Sequence, residues 1–259
     1  MKEIYYNAPC GLYKGFLESE EAREKVLENV LHYAATVEYQ RLTRYKDAEE
    51  RWQKVCDNLN FIGGDRETII RDGEELQKKH SKEACFSLRC ETYWHYSRQY
   101  KSDEECELLL AFLALRSILG SKRWGKTTNA MWLSRMDGKN KPEWRIKNGK
   151  KELVLSGAIQ KYNTHYGARK LKSLLFEYYS VSFYSSHMRG FCFSFLLSIK
   201  ELVRTIRRKQ NEIEKLESKL KSATKDAEDA VNEEDRNSYN SNIIANLNRS
   251  QDKDNIQIL

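Results

Sequence analysis

The sequence predicts a mainly α-helical protein in which a helical N-terminal domain precedes a mixed α+β domain and a C-terminal coiled-coil helix. Only 2 prolines and 12 glycines occur in 259 residues, too few for the closely spaced turns of an all-β sandwich. Apolar residues recur at three- and four-residue steps through most of the N-terminal part, which is the helical period, and alternation with a period of two is confined to a later stretch. We expect domain boundaries at 1–100, 101–197, 198–231 and 232–259.

Length and apolar patterning exclude several classes of protein. The longest unbroken apolar run covers residues 108–115, whereas a membrane helix needs about 20 apolar residues. The first ten residues include Glu3 and no apolar segment, so we expect no signal peptide. The six cysteines are scattered singly, which is typical of reduced thiols inside a cell. We therefore expect a soluble, cytoplasmic protein that does not enter the membrane.

Four helices are predicted in the N-terminal domain. The first begins after Ser19 and has acidic residues in its first turn, where they favour a helix N-terminus. The second covers about residues 46–59, with apolar residues at helical spacing. The third and fourth are expected at about residues 66–79 and 83–100.

A capping box opens the second domain. Ser102 is followed three residues later by Glu105, so each side chain can bind the backbone N–H of the other residue. Residues 106–119 are almost entirely apolar. We expect a helix there that is buried on most sides and forms the centre of the second domain.

The next stretch is predicted to alternate between strands and helices. Asn148-Gly149 is a strong two-residue hairpin signal and precedes a strand at 151–155. An inserted helix is expected at 127–136, and two further helices at 156–163 and 168–179, the second with leucines on one face.

Period-two alternation of aromatic and polar residues predicts a β-hairpin over residues 180–196. Beyond it, the apolar residues return to steps of three and four over residues 198–231, which resembles a short coiled coil. The final residues, 232–259, are rich in Asn, Ser and Asp, and we expect them to be a disordered tail.

The positive charge is concentrated in the middle of the chain. The overall net charge is +7. Residues 121–200 contain 16 lysines and arginines against 4 acidic residues, a net charge of +12, whereas the flanking parts carry net charges of −4 and −1. A localised positive field of this size favours a polyanion as partner.

The order of predicted elements from residue 103 to residue 196 resembles that of the winged helix-turn-helix family. The helix at 103–119 is followed by the strand at 151–155, a short helix, a turn, the helix at 168–179 and a hairpin. In this family the second helix of the pair enters the DNA major groove, and the hairpin, called the wing, contacts the adjacent backbone or minor groove. The resemblance therefore implies a DNA-binding domain.

The resemblance implies a set of DNA-contacting residues on the recognition helix, on the short helix before it and at the wing. Arginine and lysine can reach guanine edges or phosphates, and serine can bind backbone oxygens. The expected contacts are Lys161, Arg169, Lys170, Lys172, Ser173, His187 and Arg189.

A second motif overlaps the same basic region. Residues 120–127 satisfy the Walker A pattern of a P-loop, in which Gly125 would shape the phosphate loop, Lys126 would reach the β- and γ-phosphates, and Thr127 would hold magnesium. That pattern requires a preceding parallel strand, but a capped apolar helix is predicted there instead. A P-loop NTPase is therefore kept as an alternative function.

Metal binding and nucleophilic catalysis have little support in the sequence. His80, Cys85, Cys90 and His95 recur every five residues, a spacing that turns successive side chains of a helix by about 140° and cannot direct them to one ion. The chain also lacks the G-x-S-x-G motif of a nucleophile elbow. We expect no metal, no cofactor and no enzymatic activity.

The leading hypothesis is sequence-specific, non-catalytic binding of double-stranded DNA by a transcriptional regulator or an initiator-like protein of a mobile element. A homodimer formed through the coiled coil would present two recognition helices to two half-sites. The alternative for this segment is an intramolecular hairpin that packs back on the N-terminal domain. The alternatives are the P-loop NTPase and a helical protein-interaction adaptor.

Overall fold

The N-terminal part of the computed structural model is built around three helices, the first two of which are capped by the side chains of Ser19 and Asp47. The structure describes residues 3–61, 63–185 and 190–225, and the chain divides into two compact units, Met1–Leu202 and Val203–Leu259. Strand β1, Tyr5–Pro9, precedes helices α1, Glu20–Arg41, α2, Ala48–Leu59, and α3, Arg66–His80. The first three predicted helices are confirmed.

Helices α1 and α3 approach closely at Gly73. A Cβ atom at this position would lie 2.1 Å from the Thr36 hydroxyl oxygen and 2.5 Å from the His32 carbonyl oxygen, so any larger residue would force the helices apart. The Thr36 hydroxyl, in turn, donates to the Ile69 carbonyl oxygen at 3.3 Å. The small side chain therefore allows the two helices to pack directly against each other.

The predicted helix over residues 83–100 is wrong in its first half. Residues Cys85–Arg89 form strand β2, which pairs antiparallel with β1, and helix α4, Cys90–Arg98, begins only afterwards. Phe86 and Leu88 point into the core, while the residues between and around them are exposed. Pairing with a strand some 80 residues away in the sequence therefore outweighs the local helical tendency.

Helix α5, Asp103–Leu119, is the buried central helix that the sequence predicts. Its capping box is present: the Glu105 N–H donates to the Ser102 hydroxyl at 3.3 Å, and the Ser102 N–H donates to the Glu105 carboxylate at 3.0 Å. The residues from Leu108 to Leu115 are all buried except Phe112. Contacts between α5 and β2 lie within the first unit, and a domain boundary near residue 100 stays a prediction.

Among the described residues, eight elements follow α5 up to residue 194. In chain order they are β3, Gly125–Thr127; α6, Asn129–Met136; β4, Trp144–Lys147; β5, Lys150–Leu153; the short helix α7, Gly157–Gln160; α8, His165–Tyr179; and the pair β6, Ser182–Tyr184, and β7, Phe191–Ser194. The inserted helix, the two later helices and the hairpin over 180–196 are therefore confirmed in outline. Helix α8 begins at His165, three residues earlier than predicted and directly after its cap residue Thr164.

The three-stranded sheet differs from the expected arrangement in one strand. Its order is β3-β7-β6, with both pairs antiparallel. The strand predicted at 151–155 does not join this sheet; β5 pairs instead with β4 in a separate hairpin. The Asn148-Gly149 turn has φ values of 50° and 73°, as a two-residue type I′ turn requires.

A long helix, α9, begins after Ser198, which shares a capping box with Glu201, and is described over residues 199–225. In its part beyond residue 203, Ile213, Leu216 and Leu220 are each more than half exposed. The rest of the predicted coiled coil, 226–231, and the predicted tail, 232–259, lie outside the described residues. Within the described ranges, no helix is both long and apolar enough to cross a membrane.

Candidate nucleic-acid interface

Helix α8 presents one apolar face to the core and one polar face to solvent. Leu171 and Leu175 are fully buried, and Ala168 is nearly so. The opposite side carries the exposed residues His165, Arg169, Lys170 and Ser173. The helical period therefore separates the residues that hold α8 in place from those available to a partner.

The start of α8 is held by a cap and a tight turn. The Gly167 N–H donates to the Thr164 hydroxyl at 3.0 Å. A Cβ atom at Gly167 would lie 2.3 Å from the Lys161 carbonyl oxygen, so only glycine allows the preceding turn to pack this closely. These contacts hold the first turn of α8, which carries His165, close against the turn that follows α7.

A cleft of about 570 Å³ lies between α8, the start of α6 and the hairpin of β6 and β7. Basic and polar side chains form much of its wall, together with one aromatic ring. The lining residues are Asn129, His165, Ala168, Arg169, Lys172, Ser185, Gly190 and Phe191. A cleft of this composition suits an anionic group such as a phosphate better than an apolar ligand.

Lys172 extends into this cleft without an acidic partner. Its Nζ atom donates to the Asn129 side-chain oxygen at 3.1 Å and lies 3.7 Å from the centre of the Phe191 ring. Partial burial lowers the pKa of Lys172 to about 8. Among the described residues, no carboxylate lies within ion-pair distance of this ammonium. A bound anion would therefore stabilise a cation that the folded chain leaves uncompensated.

The three other predicted contacts on α8 are exposed. Arg169 makes no hydrogen bond or ion pair with a described residue. Lys170 lies 4.0 Å from Glu104, and both side chains are more than half exposed, so this ion pair contributes little. Ser173 is also exposed. All three side chains are available to a partner.

Lys161 has a partner within the fold. Its ammonium forms an ion pair with Glu107, a buried residue of α5, and the Tyr162 hydroxyl donates to the same carboxylate. Burial and the adjacent Glu107 carboxylate raise the pKa of Tyr162 above its usual range. Lys161 therefore neutralises a buried carboxylate, a role that its sequence position did not reveal.

His187 and Arg189, predicted at the tip of the wing, lie outside the described residues. The strands on either side of them, β6 and β7, are described and pair antiparallel through Phe183 and Phe193.

The Walker-like stretch adopts a different geometry from a P-loop. Gly125, Lys126 and Thr127 form strand β3, in which Lys126 pairs with Cys192 of the antiparallel strand β7. Thr127 is buried. In a P-loop these residues wrap around a phosphate between a strand and a helix, whereas here they lie within the sheet. The nucleotide-binding interpretation gains no support from this arrangement.

The four regularly spaced histidines and cysteines are dispersed by the fold. His80 lies 3.0 Å from the Glu83 carboxylate, Cys85 is exposed on β2, and Cys90 is buried at the start of α4. Across the described ranges, no group of three or more His, Cys, Asp or Glu side chains is placed to hold a metal ion.

Sequence reasoning predicted Arg169 and Lys172 of the cleft but missed the residues around them, above all the two that contact Lys172, Asn129 and Phe191. They lie 43 and 19 residues from Lys172 in the chain, on α6 and β7, and the packing of these elements against α8 brings the three side chains together. No local pattern marks either residue as a neighbour of Lys172. Comparisons of this chain with family models, with curated proteins and with solved structures find no match, so its own residues carry every functional inference.

Proposed function

We propose that this chain binds double-stranded DNA sequence-specifically and without catalysis, through a winged helix in which α8 is the recognition helix and the β6–β7 hairpin is the wing. The observation that carries the proposal is the exposed cationic face of α8, next to the cleft where Lys172 has no acidic partner. A transcriptional regulator or an initiator-like protein of a mobile element would use such a domain.

The topology supports this proposal. The order α5, β3, α6, α7, α8, β6, β7 matches that of a winged helix except for one additional helix, α6, before the short helix α7. Strand β3 joins the hairpin in place of the strand expected at 151–155. The hairpin of β4 and β5 is then an insertion between α6 and α7.

The electrostatics of α8 also support it. The exposed side of its first three turns carries Arg169 and Lys170 and no acidic residue, since Glu177 comes only near the end of the helix. A major groove about 12 Å wide admits an α-helix, in which arginine reaches guanine and lysine reaches phosphate. We assign base contacts to Arg169, and contacts with the DNA backbone to Lys170, Lys172 and Ser173.

Helix α9 supports a homodimer as part of the proposal. Its exposed apolar residues Ile213, Leu216 and Leu220 follow the three- and four-residue steps of a coiled coil. Dimerisation along α9 would place two recognition helices on half-sites about 34–36 Å apart, or a multiple of that distance.

A competition experiment tests the proposed function. The full-length protein is bound to a labelled duplex, and unlabelled duplex, single-stranded DNA and RNA of the same sequence are added as competitors. We expect the duplex to compete best. Equal or better competition by the single strand or by RNA would contradict the proposal.

Lys172 predicts an unusual pH dependence. Its pKa of about 8 lies below the ordinary value of 10.5, so the ammonium loses its proton as the pH rises through 8. Duplex affinity should therefore fall roughly three- to tenfold between about pH 7.5 and pH 9.5, because one phosphate contact is weakened. Between these two pKa values the unfolded chain keeps the Lys172 proton that the folded chain has lost, so the contribution of Lys172 itself to folding stability should become more favourable as the pH rises.

Lys172→Arg is the matched variant for this measurement, because its guanidinium stays charged throughout the range. The variant should retain its affinity for the duplex at the higher pH. The other basic residues of the cleft, His165 and Arg169, are not replaced in this variant. An identical fall in affinity in both proteins would show that Lys172 is not the titrating contact.

A further inference from the structure

The hairpin formed by β4 and β5 extends into solvent. All four residues of β4 are exposed, and Leu153 of β5 is the buried residue at its base. A hydrogen bond of 2.9 Å from the Val154 N–H to the Glu143 carbonyl oxygen closes that base. The fold therefore holds this ribbon at one end and leaves the strands and the Asn148-Gly149 turn accessible.

The ribbon carries an excess of positive charge close to its tip. Arg145 pairs with Glu152 on the opposite strand at 3.3 Å. The exposed lysines 147, 150 and 151 have no ion pair with any described residue. In the register of the hairpin, Lys147 lies directly opposite Lys150.

This arrangement is unfavourable for the free chain. Like charges directly opposite each other destabilise an antiparallel pair, and an isolated two-stranded hairpin is only marginally stable in water. A residue pattern that opposes local stability is expected at functional sites. An anion bound between Lys147 and Lys150 would remove their repulsion, so the tip is complementary to a polyanion.

The shape of the ribbon also fits a duplex. A strand of four residues is about 13 Å long, and a two-stranded ribbon can enter the major groove of DNA. Trp144 and Ile146 lie on one face of β4 and are 55% and 77% exposed. Side chains of this kind can contact sugars and base edges next to the phosphates that lysines bind.

We propose that the β4–β5 hairpin is a second duplex-DNA contact, in which Lys147, Lys150 and Lys151 bind backbone phosphates. This inference rests on the proposed function, because the ligand is the same duplex, but it uses residues outside α8 and the wing. The hairpin then extends the region of DNA that one chain covers and adds phosphate contacts to those of α8.

The test compares two triple variants of the full-length protein with the same change in charge. In the hairpin variant, Lys147, Lys150 and Lys151 are replaced by alanine; in the control variant, the exposed lysines 78, 79 and 82 are replaced by alanine. We expect the hairpin variant to bind duplex DNA roughly 10- to 100-fold more weakly at low salt, and its plot of log affinity against log salt to be shallower by about two to three units. The control should differ little from wild type.

Measured beside an α8 variant, in which Arg169, Lys170 and Lys172 are replaced by alanine, the outcomes separate this inference from the proposed function. If the α8 variant loses affinity while the hairpin variant matches the control, the hairpin proposal is overturned and the proposed function stands. If the hairpin variant loses affinity and the α8 variant does not, the hairpin contact stands and the recognition-helix assignment falls. A wild-type protein without duplex affinity, or a hairpin variant impaired only in RNA binding, overturns the hairpin proposal.

Discussion

Replacing Arg169, Lys170 and Lys172 together by alanine is expected to weaken duplex binding by about 100- to 1,000-fold at low salt. Each lost charged contact costs about 1–1.5 kcal/mol, and each lost phosphate contact lowers the slope of log affinity against log salt by about 0.9. The two exposed cations and the partly buried Lys172 lie together along α8 and its cleft. Their joint removal should therefore eliminate most of the binding that α8 provides.

The alanine variant of lysines 78, 79 and 82 serves as control here too, because it removes the same charge from an exposed part of the N-terminal region. Circular dichroism and thermal unfolding establish that each variant is folded. Single replacements then divide the effect: Arg169→Ala should reduce the preference for one sequence, whereas Lys170→Ala should weaken binding to all sequences alike. Equal affinities of the α8 and control triple variants would contradict the assignment of α8.

Trp132→Ala is expected to lower the free energy of unfolding by about 3–5 kcal/mol. The side chain is fully buried, its indole N–H donates to the Ala111 carbonyl oxygen at 3.0 Å, and its ring meets the Phe191 ring edge-on at 5.5 Å. Its removal would leave a large cavity between α5, α6 and β7. The loss of Trp132 should also disturb the shape of the cleft, because the Phe191 ring that it contacts lies beneath Lys172.

Trp144→Ala is the matched control for this effect, since the same residue type is 55% exposed on β4. This replacement should lower the free energy of unfolding by less than about 1 kcal/mol. Urea unfolding followed by far-ultraviolet circular dichroism measures both values. If both variants lost a similar free energy of unfolding, the contact of Trp132 with Phe191, which packs α6 against β7, would not be a major source of stability.

Features encoded by neighbouring residues could be predicted from the sequence. The Asn148-Gly149 turn needs only two residues that accept positive φ, and the capping box of α5 needs only Ser102 and Glu105. The amphipathic face of α8 was likewise visible in its leucines. Each of these signals lies within a few residues of the structure that it determines.

Features that depend on distant pairing could not be predicted in this way. The segment Cys85–Arg89 alternates over only five residues, too short a run to outweigh the helical spacing that follows it. Strand β3 forms because it pairs with β7, more than 60 residues later in the chain. In the sequence, its residues belong to a stretch that matches the Walker A pattern of a phosphate loop. The positions of Lys172 and Lys161 depend on the same long-range packing, since their partners Asn129 and Glu107 lie on other helices.

The salt dependence of duplex binding by the wild-type protein tests the central claim most directly. The proposed phosphate contacts of α8 and the hairpin predict a plot of log affinity against log salt with a slope between about −3 and −6 for each bound chain, and weaker binding to the corresponding single strand. A slope near zero, or single-stranded DNA bound as tightly as the duplex, would contradict the account.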